Sequence, residues 1–176
     1  MNMNGEPFVI EYNVRMGDPE TEVVLPRIEN DLVDLFIKLS QGKLNEVSLK
    51  INPDTATTVM LVSGGYPEAY DKGLAISGLV DIKDSLVFHA GTISDKKDVV
   101  TNDGRVLAVT SFGKDFEEAL KKSYQNIEKI KFDRMYFRRD LGYDLKDYIR
   151  DYKKSWAETS VRSSLLSLNI FNCFIQ

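Results

Sequence analysis

A chain of 176 residues, 43% hydrophobic and 28% charged, has the composition of a folded protein and the length for one domain with an appendage. Its 23 lysines and arginines against 27 aspartates and glutamates give a formal net charge of −4, which argues against a dedicated nucleic-acid or anionic-membrane binder. A single cysteine, Cys173, excludes an intramolecular disulfide framework, and a single histidine, His89, excludes a multi-histidine metal site. The expected compartment is a reducing cytoplasm. No targeting segment is visible, nor an apolar run of the ~20 residues a membrane helix needs.

The first patterned segment is Phe8 to Arg15, where Phe8, Ile10, Tyr12 and Val14 alternate with Val9, Glu11, Asn13 and Arg15. That period predicts a strand with one apolar face against a core. The other face carries Glu11, Asn13 and Arg15 in a row, at steps of about 6.5–7 Å. Gly17, Asp18 and Pro19 break the strand, and Glu20 to Leu25 predicts a helical turn interrupted by Pro26. Leu32, Leu35, Phe36 and Leu39 recur at helical spacing, with Gly42 where a C-cap belongs, and this stripe is expected in the core.

Strand signals follow at Val47 to Ile51, Thr57 to Val62, Leu74 to Leu79 and Leu86 to Thr92. Asn102-Asp103-Gly104 predicts a hairpin between Val99-Val100 and the run Val106 to Val109. Asp115, with Glu118 three residues on, caps a second helix whose stripe of Phe116, Leu120, Tyr124, Ile127 and Ile130 is also expected in the core. In the tail, Leu145, Tyr148, Ile149, Tyr152 and Trp156 recur at helical spacing. Two readings of that tail stand side by side: a docking helix, or a frameshifted or read-through ending. The order of elements predicts an α+β fold.

Chemistry concentrates on the first strand. A carboxylate and an amide two residues apart are oxygen donors that suit a hard cation such as magnesium. Arg15, next on the same face, could stabilise charge on a phosphoryl or acyl-phosphate group. A polar face on an edge strand explains the same spacing. Elsewhere, His89 reads as a hydrogen-bonded structural residue and Cys173 as an inert thiol. Ser63-Gly64-Gly65 reads as a turn, with an anion-binding nest as the alternative. Arg138-Arg139 reads equally as a phosphate contact or a solvated basic pair.

The stretch Pro7-Phe8-Val9-Ile10-Glu11-Tyr12-Asn13-Val14-Arg15-Met16-Gly17-Asp18-Pro19-Glu20-Thr21 resembles the last strand and following loop of the ATP-grasp core in the phosphoribosylamine–glycine ligase family, the glycinamide ribonucleotide synthetases. The resemblance continues in register through Ser63-Gly64-Gly65-Tyr66-Pro67, Tyr70-Asp71-Lys72-Gly73, Phe88-His89-Ala90-Gly91-Thr92 and Val100-Thr101-Asn102-Asp103-Gly104-Arg105-Val106-Leu107. It ends with Tyr136-Phe137-Arg138-Arg139-Asp140-Leu141-Gly142.

For the fold, this resemblance implies the last strand and helix of an ATP-grasp domain over residues 1–52. A small, barrel-sandwich-like β-rich domain with a packing helix would cover 53–142, and an extra helix or tail 143–176. For function, it implies a carbon–nitrogen ligase of purine biosynthesis that joins glycine to 5-phosphoribosylamine through an acyl phosphate. ATP is the co-substrate, and magnesium or manganese the metal. Carried over by position, Glu11 and Asn13 fall on the metal ligands and Arg15 on the residue that stabilises the acyl phosphate. Asp18 and Glu20 fall in the loop where substrate amino or ribose groups are met.

Members of the family are longer than this chain. The domains that enclose adenine and supply phosphate-binding lysines would lie before Met1, in cis or in a partner chain. The chain alone is therefore expected to hold half a metal site and no ATP pocket, and to be inactive by itself. The alternative is a non-catalytic module that keeps the β-rich domain for binding or complementation. No nucleic-acid or membrane partner is expected.

Overall fold

A computed structural model of the chain describes residues 2–3, 5–10, 14–143 and 145. At the start, β1 (Asn2–Met3) and β2 (Glu6–Pro7) pair antiparallel across Gly5, whose φ is +94°. The strand expected over 8–15 is not formed among the described residues: Phe8 to Ile10 belong to no sheet, and Val9 and Ile10 are 68% and 73% exposed. Alternation specifies a strand only where a neighbouring strand takes its backbone groups and a core covers one face. No sheet among the described residues offers this segment either.

The next turns follow their local chemistry. α1 (Thr21–Val24) tightens into a 3₁₀ turn at Leu25–Arg27, where Pro26 has no N–H to continue an α-helix. α2 (Leu32–Ser40) starts at Asp31, whose Oδ1 accepts from the N–H groups of Val33 (2.8 Å) and Asp34 (3.2 Å). It ends in a Schellman turn at Gly42, φ +68°, with Lys43 N–H donating to Lys38 O (2.9 Å) and Gly42 N–H to Leu39 O (3.0 Å).

The core placement expected for this stripe does not hold. No residue of α2 is buried, and Val33 and Phe36 are 64% and 62% exposed. Caps and helix propensity form the helix, whereas burial of its stripe requires an element packed over it. Among the described elements α2 meets chiefly the 3₁₀ turn Leu44–Glu46.

Residues 47–51 are not a strand either. One bridge, Ile28 to Ile51, forms there, and the Asn30 side chain takes the place of a neighbouring strand. It accepts from Lys50 N–H at 2.6 Å and donates to Ser48 O at 3.2 Å.

From residue 55 the chain builds two three-stranded antiparallel sheets. Its strands are β3 (Thr55–Val62), β4 (Ala75–Ile76), β5 (Ser85–His89), β6 (Thr92–Asp95), β7 (Asp98–Thr101) and β8 (Arg105–Gly113), followed by α3 (Phe116–Ile127). One sheet has the order β3-β8-β5 and the other β4-β7-β6. In β8, Val106 to Ser111 are buried without a break, because both faces are covered. α3 packs on one face, and on the other Thr110 Oγ1 donates to the Glu22 carbonyl of α1 (2.9 Å). Leu61, Leu107, Ile127 and Ile130 are fully buried at the centre of the core.

α3 fits its expected cap: Asp115 Oδ1 accepts from Glu118 N–H (2.9 Å), and Glu118 Oε2 reaches back to Lys114 N–H (3.3 Å). It is held to the sheet by a buried polar network. Ser123 Oγ donates to Ser111 Oγ (2.8 Å), which lies 2.6 Å from Ser85 Oγ. Asn126 Nδ2 donates to Ser85 Oγ (2.7 Å) and Lys83 O (2.8 Å).

The hairpin expected at Asn102–Gly104 is a corner instead. β7 and β8, on either side of it, lie in different sheets. The hairpin of this region joins β6 to β7 through Lys96 and Lys97, with Lys96 at φ +55°. Asp103-Gly104 supplies a turn as its local chemistry predicts, but which partner a strand takes is decided by the core.

The helix expected from Leu145 to Trp156 and the residue Cys173 fall outside the described residues, apart from Leu145 itself. Among the described residues no helix is long and apolar enough to cross a membrane.

Candidate functional site

Of the first strand's candidate residues, Glu11 and Asn13 lie outside the described residues. Arg15 is exposed, and its Nη1 donates to Met16 O at 2.9 Å. The loop after it is closed on itself. Glu20 Oε2 accepts from Gly17 N–H (2.8 Å), while Thr21 donates to Gly17 O through both Oγ1 (2.8 Å) and N–H (3.0 Å). Glu20 thus has one carboxylate oxygen engaged in shaping the loop.

Asp18 connects this loop to the β-rich part of the chain. Arg105 Nη1 donates to the Asp18 main-chain oxygen (3.2 Å), and its Nη2 lies 3.4 Å from Asp18 Oδ2. Asp18 Oδ1 is buried and takes no hydrogen bond from any described residue. Arg105 opens β8, directly after the Asn102–Gly104 corner.

That corner is held from several sides. Tyr70 OH donates to Asp103 Oδ1 (2.7 Å), which also accepts from Gly104 N–H (2.7 Å). Ser63 Oγ donates to Asp103 O (3.1 Å) and Ser63 N–H to Gly104 O (2.8 Å). Gly91 O accepts from both Asn102 N–H (2.8 Å) and Asp103 N–H (3.2 Å). The hydrogen bond from Tyr70, with that from Gly104, holds the Asp103 carboxyl below its ordinary pKa. The same bond to Asp103 raises the Tyr70 hydroxyl.

The structure therefore brings to one end of the two sheets four segments spread over residues 63–105: 63–67, 70–73, 88–92 and 102–105. It ties the 17–20 loop to them through Arg105. Sequence reasoning missed Arg105, Tyr70 and Asp103 as members of one cluster. The available signal was the glycine-bearing turn beside each of them, since close backbone approach needs glycine.

The remaining alternatives resolve locally. Ser63-Gly64-Gly65 is a turn, with Tyr66 N–H on Ser63 O (3.0 Å) and Glu68 N–H on Gly65 O (2.9 Å). His89 Nδ1 lies 2.8 Å from Thr92 Oγ1, a structural contact as expected. Arg138 makes a two-pronged pair with Asp140 (3.0 Å each), and the Arg139 guanidinium sits 4.6 Å from the centre of the Phe137 ring. Both arginines have intramolecular contacts.

A carboxylate and an amide oxygen are the donor chemistry that magnesium takes. Among the described residues no group of three or more His, Cys, Asp or Glu side chains converges as a metal site.

Comparison with known proteins first defines the class. The structure is similar to that of a phosphoribosylamine–glycine ligase from Thermotoga maritima, with a TM-score of 0.60 and 33% identity over 80% of this chain and 34% of that one. The family described as "Phosphoribosylglycinamide synthetase, C domain" matches residues 56–144. The chain belongs to the phosphoribosylglycinamide synthetase family. Among curated relatives, a phosphoribosylamine–glycine ligase of Vibrio parahaemolyticus is 46% identical over 145 residues, 81% of this chain and 34% of the relative. A bifunctional purine biosynthetic protein of Dictyostelium discoideum is 42% identical over 155 residues, 86% of this chain and 19% of its own length. The chain spans about a third of the length of the Vibrio relative.

Proposed function

We propose that the chain is the carboxy-terminal part of a phosphoribosylamine–glycine ligase of cytoplasmic purine synthesis. In this reading residues 1–52 end an ATP-grasp domain, 53–142 form the β-rich domain and 143–176 are an addition of its own. Glycine's carboxylate attacks the γ-phosphate of ATP, releasing ADP and forming an acyl phosphate. The amine of 5-phosphoribosylamine then attacks the acyl carbon, and phosphate leaves. A magnesium or manganese ion on Glu11 and Asn13 would supply positive charge to the ATP phosphates. Arg15 stabilises the acyl phosphate, and Asp18 and Glu20 meet substrate amino or hydroxyl groups. The ATP-binding remainder is supplied in cis or by a partner chain.

The observation that carries the reading is the Asp18–Arg105 pair, which couples the candidate substrate loop to the part matched by the family. The test is a chimera in which this chain replaces the matching third of the Vibrio parahaemolyticus relative. ADP release that requires both glycine and phosphoribosylamine is expected, and Glu11→Ala should abolish it. A folded chimera without turnover would leave a non-catalytic module. Isothermal titration of magnesium-ATP into the chain alone is expected to give no saturable heat; saturable heat would locate an ATP site within it.

A further inference from the structure

We propose that Arg105 is a positioning residue: it fixes Asp18 so that one carboxylate oxygen stays available to a hydrogen-bond donor of the substrate. The proposal rests on the ligase reading above. Arg105 reaches Asp18 at two points, the main-chain oxygen at 3.2 Å and Oδ2 at 3.4 Å, across 87 residues of sequence. A contact to the carboxylate alone would leave the loop backbone free to shift. Gripping main chain and side chain together restrains both, and the planar guanidinium fork is suited to that.

The anchor behind this grip is firm. Arg105 follows a corner tied by Tyr70, Ser63 and Gly91, and a Cβ on Gly91 would meet the Arg105 main-chain oxygen. On the loop side, Glu20 and Thr21 close the chain onto Gly17, so the loop can move only as a unit.

What the grip leaves over is Asp18 Oδ1, buried and accepting no hydrogen bond from a described residue. A carboxylate oxygen withdrawn from water without a donor is an unfavourable state that an arriving N–H or O–H relieves. Among the proposed substrates, phosphate and carboxylate oxygens cannot serve as that donor. The amino group of glycine can, and so can the amine and hydroxyls of phosphoribosylamine. Glu20 Oε2, by contrast, already accepts from Gly17 N–H.

The experiment has two arms. In the chimera, Arg105→Gln should raise KM for glycine or for phosphoribosylamine by about three- to tenfold, the scale of one half-exposed charged contact, with kcat changed by less than about twofold. The substrate whose KM moves identifies the donor. Arg105→Lys keeps the charge without the fork and should recover part of the loss. Asp18→Asn combined with Arg105→Gln should be no worse than Asp18→Asn alone. Arg134→Gln, which breaks a pair with Asp71 at the same end of the sheets, is the control and should move neither KM.

In the chain itself, Arg105→Gln should speed exchange of the Thr21 amide by about two- to fivefold, and Arg134→Gln should not. Unchanged KM values for Arg105→Gln in an active chimera overturn the proposal. An inactive wild-type chimera sinks the ligase reading and the substrate clause with it. The exchange arm then still decides the grip, which unchanged Thr21 exchange refutes.

Discussion

A Cβ built on Gly91 would meet the main-chain oxygen of Arg105 and the Cα and Cβ of Asp103, all of them parts of a pinned corner. Gly91→Ala is therefore expected to destabilise the chain by about 1–3 kcal/mol, measured by urea unfolding, because neither neighbour can retreat without breaking a corner bond. Tyr70 and Asp103 make the same corner sensitive to pH. Asp103, held below its ordinary value, contributes stability that is present above the carboxylate range of about 4 and is lost as pH falls through its folded value. Tyr70, raised, contributes below about 10 and loses that contribution as pH rises through its folded value. Tyr70→Phe should move the Asp103 titration, followed by carboxyl NMR, upward toward the ordinary value. An unmoved titration would mean that the hydroxyl is not its main cause.

Two helices with similar sequence stripes reached opposite fates, and the contrast can be measured. Ile127 in α3 is fully buried, so Ile127→Ala should cost about 2–5 kcal/mol in urea unfolding. Phe36 in α2 is 62% exposed, so Phe36→Ser should change stability by less than about 0.5 kcal/mol. The periodicity, caps and Gly42 C-cap were legible in the sequence because they are local. Whether a stripe is covered was not, because that depends on a second element. The same distinction runs through the strands: β3 and β8 were readable from β-branched runs, whereas the sheet switch at Asn102–Gly104 was not. In the candidate site, Asp18 and Glu20 could be read from a contiguous motif. Arg105 could not, since its tie to Asp18 spans a sequence separation of 87 and exists only after the chain between them has folded.

The molecule as a whole is graded in stability. Burial is concentrated in β3, β8 and α3, while the segment from α1 through residue 51 contributes only Val23 and Arg27 as buried side chains among those described. Native-state hydrogen exchange should therefore find β8 amides the slowest and those of α2 among the fastest within helices. Asn126, whose amide serves Ser85 and Lys83 at once, belongs to the slow unit. Asn126→Ala should accelerate the exchange of β8 and α3 amides together, since several buried groups lose their partner in one step. Acceleration confined to α3 would count against a single cooperative unit.

The β6–β7 hairpin has a practical side. Its tip, Lys96 and Lys97, is exposed, while its other end, where Thr92 faces Thr101, abuts the corner. Four strand residues separate the two, about 13 Å of rise. A dye or short peptide carried at the tip would ride on the same rigid ladder as the corner without intruding on it. The fold thus comes with its own handle, from which the arrival of an ATP-binding partner could be watched while Arg105 and Asp18 stay untouched.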